Sequence, residues 1–197
     1  KAFRDELNKY SDITVYMTRE TGACCKALKL GDCLTARSNY AKKLSADMLV
    51  SVHINAGSSK ARGANALVAY KSGYHDNIRV ETQRFGRIAL KNLKAVGVKN
   101  KGFLLRKSSS NKYPNGKRRD YYAIVRHGVE DEIPAILMEH GFITNKTDCK
   151  KFFKTVAKRK KLGVADAKSV IEYFGLNKMN IEGKFVYRSE ERRVGKE

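Results

Sequence analysis

The sequence lacks several features that would narrow its class at once. No run of apolar residues approaches the ~20 that a membrane-spanning helix needs, and no signal-peptide pattern opens the chain. The four cysteines, Cys24, Cys25, Cys33 and Cys149, form neither a CxxC pair nor a zinc-knuckle spacing. Disulfide geometry disfavours a bond between the adjacent Cys24 and Cys25. A link from either of them to Cys33 is conceivable, and free thiols are the default expectation.

Acidic residues are scarce beside basic ones. The 197 residues include 41 Lys and Arg against 20 Asp and Glu, which gives a formal net charge of +21. Such an excess points to a polyanionic surrounding, either nucleic acid or an acidic bacterial wall. The chain shows no interleaved aromatic platform, recognition helix or finger motif, so specific nucleic-acid binding is not expected. Its length allows one sizeable core and is too short for two full domains.

Helical and strand patterns alternate along the chain. β-Branched and aromatic content predicts strands at 13–18, 48–52, 63–72 and 134–142. Apolar spacing predicts helices at the N-terminus and at 34–44, 78–96, about 147–161 and 164–174. The polar stretch 99–119 is predicted to be a long loop. This alternation predicts an α/β fold, a three-layer sandwich whose largely parallel central sheet is flanked by helices.

The two ends of the chain do not continue this pattern. The opening "KAFRDELNKY" has no initiator Met and begins as if inside a helix. The closing "RSEERRVGKE" is charged and lacks apolar periodicity. We expect residues 1–176 to form one N-terminally incomplete domain whose first strand is missing. We expect 177–197 to be a tail, with its last ten residues an appended sequence.

Two predicted strands end in ionisable side chains. His53 follows the apolar segment 48–52, and Glu139 lies within "PAILMEHGF". Ligands of open α/β sheets bind beyond the carboxyl ends of the strands. Imidazole is a good zinc ligand, and a carboxylate beside a metal can take a proton from bound water. The pair is a candidate hydrolytic site, although a lone strand-end histidine is more often structural and Glu139 could equally cap a helix or pair with a lysine.

Four blocks carry a resemblance to a known family. They are "VYMTRE" (15–20), "LTARSNYAKKLSADMLVSVHINAG" (34–57), "GANALVAY" (63–70) and "IPAILMEHGFITNKTD" (133–148). In this order they closely resemble the zinc-dependent N-acetylmuramoyl-L-alanine amidases, the peptidoglycan hydrolases of autolysins, sporulation enzymes and phage endolysins. The resemblance implies Zn²⁺ as cofactor and hydrolysis of the amide bond between N-acetylmuramic acid and L-alanine. It also implies a location outside the cell or in its wall, and a monomer is expected.

The resemblance assigns roles to individual residues. His53 matches a zinc-ligating histidine in a Ser-x-His-x-Asn block, and Glu139 matches the catalytic glutamate of a Glu-x-Gly-Phe block. The implied reaction is attack by a zinc-activated water, with Glu139 returning a proton to the departing alanine nitrogen. Arg19 and Arg37 also match family positions, and the expected role of each is a buried arginine that ties helix to sheet. Asn55 is expected to shape the loop after the ligand and could also touch substrate.

The residues around Glu139 carry smaller expectations. Gly141 should permit the turn after Glu139, and Asn145 with Asp148 should start the next helix. His140 adjoins Glu139, but successive strand residues face opposite sides of a sheet. His140 is therefore a poor partner ligand.

The chain also departs from the family pattern. The resemblance implies two more zinc ligands, a histidine in a Gly-His-Gly loop and a glutamate at the start of the first helix. Neither is present, and Glu6 lies too far along the helix to be the second. Because a catalytic zinc site generally needs three protein ligands, we expect the chain as given to bind zinc weakly and to have little activity. The alternative is a non-catalytic module that holds anionic wall polymers on basic segments such as "KKFFKTVAKRKK" (150–161).

Overall fold

A computed structural model of the chain describes residues 1–20 and 30–178, which fold around a four-stranded sheet. The helices are α1 (Ala2–Leu7), α2 (Leu30–Lys43), α3 (Asp76–Ala95), α4 (Ala123–Glu130), α5 (Lys146–Asp148) and α6 (Val156–Phe174). A π-helical turn, Cys149–Phe153, follows α5. The strands are β1 (Leu49–Asn55), β2 (Ala64–Leu67), β3 (Asn100–Leu104), β4 (Lys107–Lys112), β5 (Arg118–Asp120) and β6 (Ala135–Phe142).

The central sheet has the strand order β1-β6-β2-β3. Strand β6 runs parallel to β1, β3 runs parallel to β2, and β2 joins the two pairs in antiparallel fashion. The predicted α/β fold, with a mostly parallel sheet flanked by helices, is confirmed. Strands β4 and β5 form a separate antiparallel pair.

The main core lies between the sheet and helices α1, α3 and α6. Ile136 and Met138 point from β6 into this layer, where they join Phe85 of α3 and Leu162 of α6. Each fully buried side chain of this kind contributes roughly 1.5–3 kcal/mol. Helix α4 packs against β6 and is in turn contacted by α2.

Two of the predicted strands differ in the structure. Residues 13–18 form no strand within the described part of the chain: Ile13 and Val15 pack against the core, but the backbone has no ladder partner. Strand β2 ends at Leu67, short of the predicted 63–72. The next residues stay buried, but the Tyr70 amide donates to the Asp120 carboxylate at 3.2 Å and not to a neighbouring strand.

The predicted loop over 99–119 is wrong. It contains β3, which extends the sheet beside β2, and the β4–β5 pair. These strands are polar because most of their residues are exposed. An exposed edge strand gives no apolar alternation, so its sequence pattern is that of a loop.

The last helices break at a different place from the predicted one. The chain leaves the helical turn after Phe153, and Thr155 caps α6 by accepting a hydrogen bond from the Lys158 amide at 3.3 Å. Gly163 lies inside α6 and not between two helices. A Cβ at this position would stand 3.1 Å from the Phe3 nitrogen, so glycine serves the close approach of α1.

Three further expectations concern the chain ends and the cysteines. Tyr10 pairs with Lys178 in an antiparallel bridge, and the Ser11 amide donates to the Asn177 carbonyl. The rest of the predicted tail lies outside the described residues, as do Cys24 and Cys25. Cys33 is disulfide-bonded, so the free-thiol default is wrong for it, whereas Cys149 is free.

None of the helices in the described ranges has the length and apolarity that crossing a membrane requires.

Candidate functional site

The parallel pairing of β1 and β6 brings the two predicted site residues side by side. His53 and Glu139 are register partners, and adjacent strands lie about 4.8 Å apart. Aligned residues of parallel strands point to the same face, so the imidazole and the carboxylate share one side of the sheet. The His53 Nε2 lies 2.9 Å from the Ser51 hydroxyl, two residues back on that face.

The surroundings of His53 favour its neutral form. The side chain is exposed on the edge strand β1, but partial desolvation lowers the pKa of the imidazole, and the positive charges of Arg37, His140 and Arg19 lower it further. A histidine must be deprotonated to donate a ring nitrogen to a metal ion. His53 is therefore ready to act as a ligand at neutral pH.

The surroundings of Glu139 have the opposite effect on a carboxylate. Burial raises the pKa of Glu139, and the charge of His140 opposes that rise only in part. Its Oε2 is buried and has no hydrogen-bond partner in the structure as described. Unpaired buried polar atoms are rare in folded proteins and call for a reason, such as a catalytic role or an absent ion. A desolvated carboxylate with a free oxygen is suited to exchanging a proton with a reacting group.

A second ionisable pair lies behind this site and was not expected from the sequence. His140 Nδ1 donates to the His53 carbonyl oxygen at 3.0 Å, and Nε2 donates to the Asp166 carboxylate at 2.8 Å. The Asp166 carboxylate raises the pKa of the fully buried His140 to about 9, against the effect of burial. With both nitrogens donating, His140 is an imidazolium that faces α6. The prediction that it lies opposite Glu139 is confirmed.

Asp166 could have been recognised as unusual. It lies in a helical segment whose neighbours Ala165 and Ala167 are buried, where a charged side chain needs a partner. The periodicity marks the position as core, but the sequence gives no indication that His140 supplies the opposite charge.

The chain does not turn at Gly141 as expected, because β6 continues to Phe142, and of the two residues expected to start the next helix only Asn145 caps it. The register shifts between His53 and Asn55, and Gly141 within this irregularity has φ +145°. Asn145 caps α5 by accepting hydrogen bonds from the two amides at 147 and 148. Asp148, expected to help start the helix, instead accepts from the amides of Gly63 and Phe142. It ties the beginning of β2 to the end of β6.

The three supporting residues match their predicted roles only in part. Arg37 is half-buried and donates at 3.3 Å to the sulfur of Cys33 on the same helix α2, so this bond does not tie the helix to the sheet as expected. Arg19 is exposed, so its interpretation as a buried arginine is wrong. Asn55 accepts a hydrogen bond from the Ala56 amide, and its carbonyl accepts from Ile143. Asn55 therefore shapes the loop after β1, and contact with substrate stays a prediction.

A metal site can be tested against the donors on this face. His53 offers one neutral imidazole, and Glu139 offers an unpaired buried oxygen. No group of three His, Cys, Asp or Glu residues with metal-site geometry occurs among residues 1–20 and 30–178. A catalytic zinc ion generally takes three protein ligands. The donors that the structure describes therefore fall short of a complete zinc site.

The fold and the side chains on the β1–β6 face of the sheet together indicate a class of protein. A strand-end imidazole beside a desolvated carboxylate, on the carboxyl side of an α/β sheet, is an arrangement suited to hydrolysis. Residues 1–172 match the Amidase_3 family, described as N-acetylmuramoyl-L-alanine amidase. The chain belongs to this family. No curated protein matches it significantly.

Solved structures show the same fold. Cwp6 from Clostridium difficile is 29% identical with a TM-score of 0.67, and the match covers 87% of this chain and 24% of that chain. This chain thus spans about a quarter of that protein. The CwlD amidase from Clostridioides difficile, in complex with the GerS lipoprotein, is 21% identical with a TM-score of 0.67, covering 88% of this chain and 81% of that one. The catalytic domain of CwlV, an amidase from Bacillus (Paenibacillus) polymyxa, is 21% identical with a TM-score of 0.64, covering 89% and 80%.

Proposed function

We propose that this chain hydrolyses the amide bond between N-acetylmuramic acid and L-alanine in peptidoglycan. The observation that carries the proposal is the register of β1 against β6, which aligns His53 with Glu139 on one face of the sheet. Membership of the amidase family supplies the substrate class. The proposal also places the protein at the cell wall, acting as a monomer.

The proposed reaction assigns the proton transfers to Glu139. The ionised carboxylate takes a proton from a water, whose oxygen attacks the lactyl carbonyl carbon. The tetrahedral intermediate collapses with cleavage of the carbon–nitrogen bond, and Glu139 gives the proton to the departing alanine nitrogen. The raised pKa of Glu139 supports both transfers because it brings the acid and base forms closer in energy near neutral pH.

The reaction is tested by replacing Glu139 with Gln, which keeps the shape of the side chain and removes its ability to carry the proton. The assay measures new alanine amino groups released from peptidoglycan at high protein concentration, because a low rate is expected from the incomplete donor set. Glu139→Gln should lower the rate about 100-fold or more. The matched control, Glu132→Gln, changes an exposed glutamate and should leave the rate unchanged. Release that is absent from the parent chain, or equal in both variants, would overturn the proposal.

Zinc is a separate part of the proposal, with His53 as one ligand. Zinc titrated into the parent chain and followed by calorimetry should bind weakly, and His53→Ala should abolish that binding. His127→Ala is the control because this half-buried histidine of α4 faces Glu130, with its Nδ1 3.6 Å from the carboxylate, and is not one of the proposed ligands. A His53→Ala variant that binds zinc as the parent does would remove the residue from the metal site.

A further inference from the structure

The strongest feature outside the candidate site is a cleft lined almost entirely by lysine. Its volume is about 480 Å³, and four of its five lining residues are Lys146, Lys150, Lys151 and Lys158, with Thr147 as the fifth. The chain forms it by folding α5, the π-helical turn and the start of α6 against one another. We call this surface the lysine cleft.

Among the described residues, no acidic side chain forms an ion pair with a lysine of this cleft. Every ion pair found in the described ranges involves other residues. The one acidic residue in this stretch, Asp148, is buried and bound to backbone amides. Like charges that line one concave surface repel one another and raise the free energy of the folded state. A ligand with several negative charges would remove that cost.

One of the four lysines forms a hydrogen bond within the lining of the cleft. The Lys158 ammonium donates to the Lys150 carbonyl oxygen at 2.7 Å, which places its charge beside the π-helical turn. The other three lysines are exposed. One hydrogen-bonded and three exposed ammonium groups around one cavity suit a flexible polyanion better than a single planar anion. Each lysine acts as a point charge and has no preferred planar geometry.

The lysine cleft adjoins the segment that follows the candidate site. Asn145, the residue before Lys146, donates to the Ser59 carbonyl at 2.6 Å. Ser59 belongs to the loop after β1, and Ile143 on the other side donates to the Asn55 carbonyl. These hydrogen bonds join the segment that carries the lysine cleft to the loop after β1.

We propose that the lysine cleft binds the phosphodiester backbone of an anionic cell-wall polymer, and that this contact holds the protein on its substrate. The inference rests on the proposed function for the location of the protein at the wall. Repeated phosphates match several ammonium groups at once, and neutralising them releases counterions, so the contact should weaken steeply with salt.

The test compares two variants with equal loss of charge. Lys146→Gln, Lys150→Gln and Lys151→Gln are combined in a cleft variant, which leaves the structural Lys158 contact intact. Lys43→Gln, Lys71→Gln and Lys99→Gln are combined in a control variant, because these exposed lysines take part in no ion pair within the described ranges. Binding is measured to wall sacculi that carry teichoic acid and to the same sacculi after hydrofluoric acid has removed it. Purified teichoic acid and duplex DNA of equal phosphate content are the competitors.

The cleft variant should lose about tenfold or more in affinity for the polymer-bearing sacculi and show a shallower salt dependence, while the control variant loses much less. Equal losses in both variants would reduce the effect to net charge. Equal binding to both kinds of sacculi would place the contact on peptidoglycan, and stronger competition by DNA than by teichoic acid would point to nucleic acid. Each of these results overturns the proposal. Because binding is measured without turnover, its failure is distinct from a failure of the Glu139 assay.

Discussion

At the scale of single residues, the buried pair of His140 and Asp166 ties the candidate site to α6. Removing one member leaves the other as an uncompensated buried charge, which typically costs about 3–5 kcal/mol. Asp166→Ala should lower the free energy of unfolding by that amount, measured by urea denaturation. The double variant with His140→Ala should cost less than the sum of the two single changes, because no charge is then stranded. Strict additivity would show that the two side chains are not coupled.

The residues of the candidate site differ in how far the sequence could predict them. His53 and Glu139 were predictable because each interrupts an apolar strand with an ionisable side chain, and the two-residue period of a strand fixes which side chains share a face. The same alternation correctly placed His140 on the other face. Its partner Asp166 was not predictable, because 26 residues separate them and only the packing of α6 on the sheet brings them together.

At the scale of elements, the end of β6 depends on a glycine that other residues cannot replace. Gly141 has φ +145°, and a Cβ there would stand 2.9 Å from the Asp148 carboxylate that joins β6 to β2. Gly141→Ala should therefore destabilise the protein by about 1–3 kcal/mol from the backbone alone and by more from the clash. The measurement is the urea midpoint at constant slope.

The control for this prediction is Gly102→Ala in β3. Gly102 also has a positive φ, +79°, but a Cβ there would meet nothing within 4 Å. The difference between the two variants reports the contacts of a Cβ at position 141 with the Asp148 carboxylate and the Phe153 ring, together with the greater strain at φ +145°. If both cost the same, backbone conformation alone accounts for the effect, and the tie between β6 and β2 needs no glycine.

The β4–β5 pair is held by a buried carboxylate whose effect on stability depends on pH. Burial raises the pKa of Asp120 from 3.8 to about 6, although Tyr113 and the Tyr70 amide donate hydrogen bonds to it. The folded state therefore holds this proton more tightly than the unfolded state. The resulting stabilisation is complete below pH 3.8 and is lost as the pH rises through about 6.

Replacing Asp120 with Asn should remove that pH dependence. A shift of this size corresponds to about 2–3 kcal/mol, so the stability of Asp120→Asn relative to the parent should be higher at pH 7.5 than at pH 4 by that order. Urea denaturation of both proteins at the two pH values measures it. A relative stability that stays constant, or that is higher at pH 4, would contradict the raised pKa.

The elements that the sequence did not predict share one physical cause. Strands β3, β4 and β5 are short and mostly polar, and most positions of β3 and β4 are exposed, so these strands leave no apolar alternation in the sequence. The segment 13–18 shows the reverse: its apolar residues pack against the core without a neighbouring strand. By contrast, α3 and β6 were predicted closely because a long amphipathic helix and a buried strand carry strong periodic signals.

At the scale of the whole molecule, the net charge of +21 acts on stability as well as on binding. Mutual repulsion of an excess of like charges raises the free energy of the compact state more than that of the expanded unfolded chain. Salt shortens the range of this repulsion, from about 30 Å at 0.01 M to about 10 Å at 0.1 M. The thermal midpoint should therefore rise as sodium chloride is added from low ionic strength.

The same argument predicts how the cleft variant behaves without any ligand. It carries three fewer positive charges, taken from a region where they face one another around one cavity. Its midpoint at low salt should exceed that of the parent, and the two midpoints should converge as salt is added. The control variant, whose three lysines do not line this cavity, should gain less. A cleft variant that melts below the parent at low salt would show that these lysines stabilise the fold, and it would contradict the argument from charge repulsion.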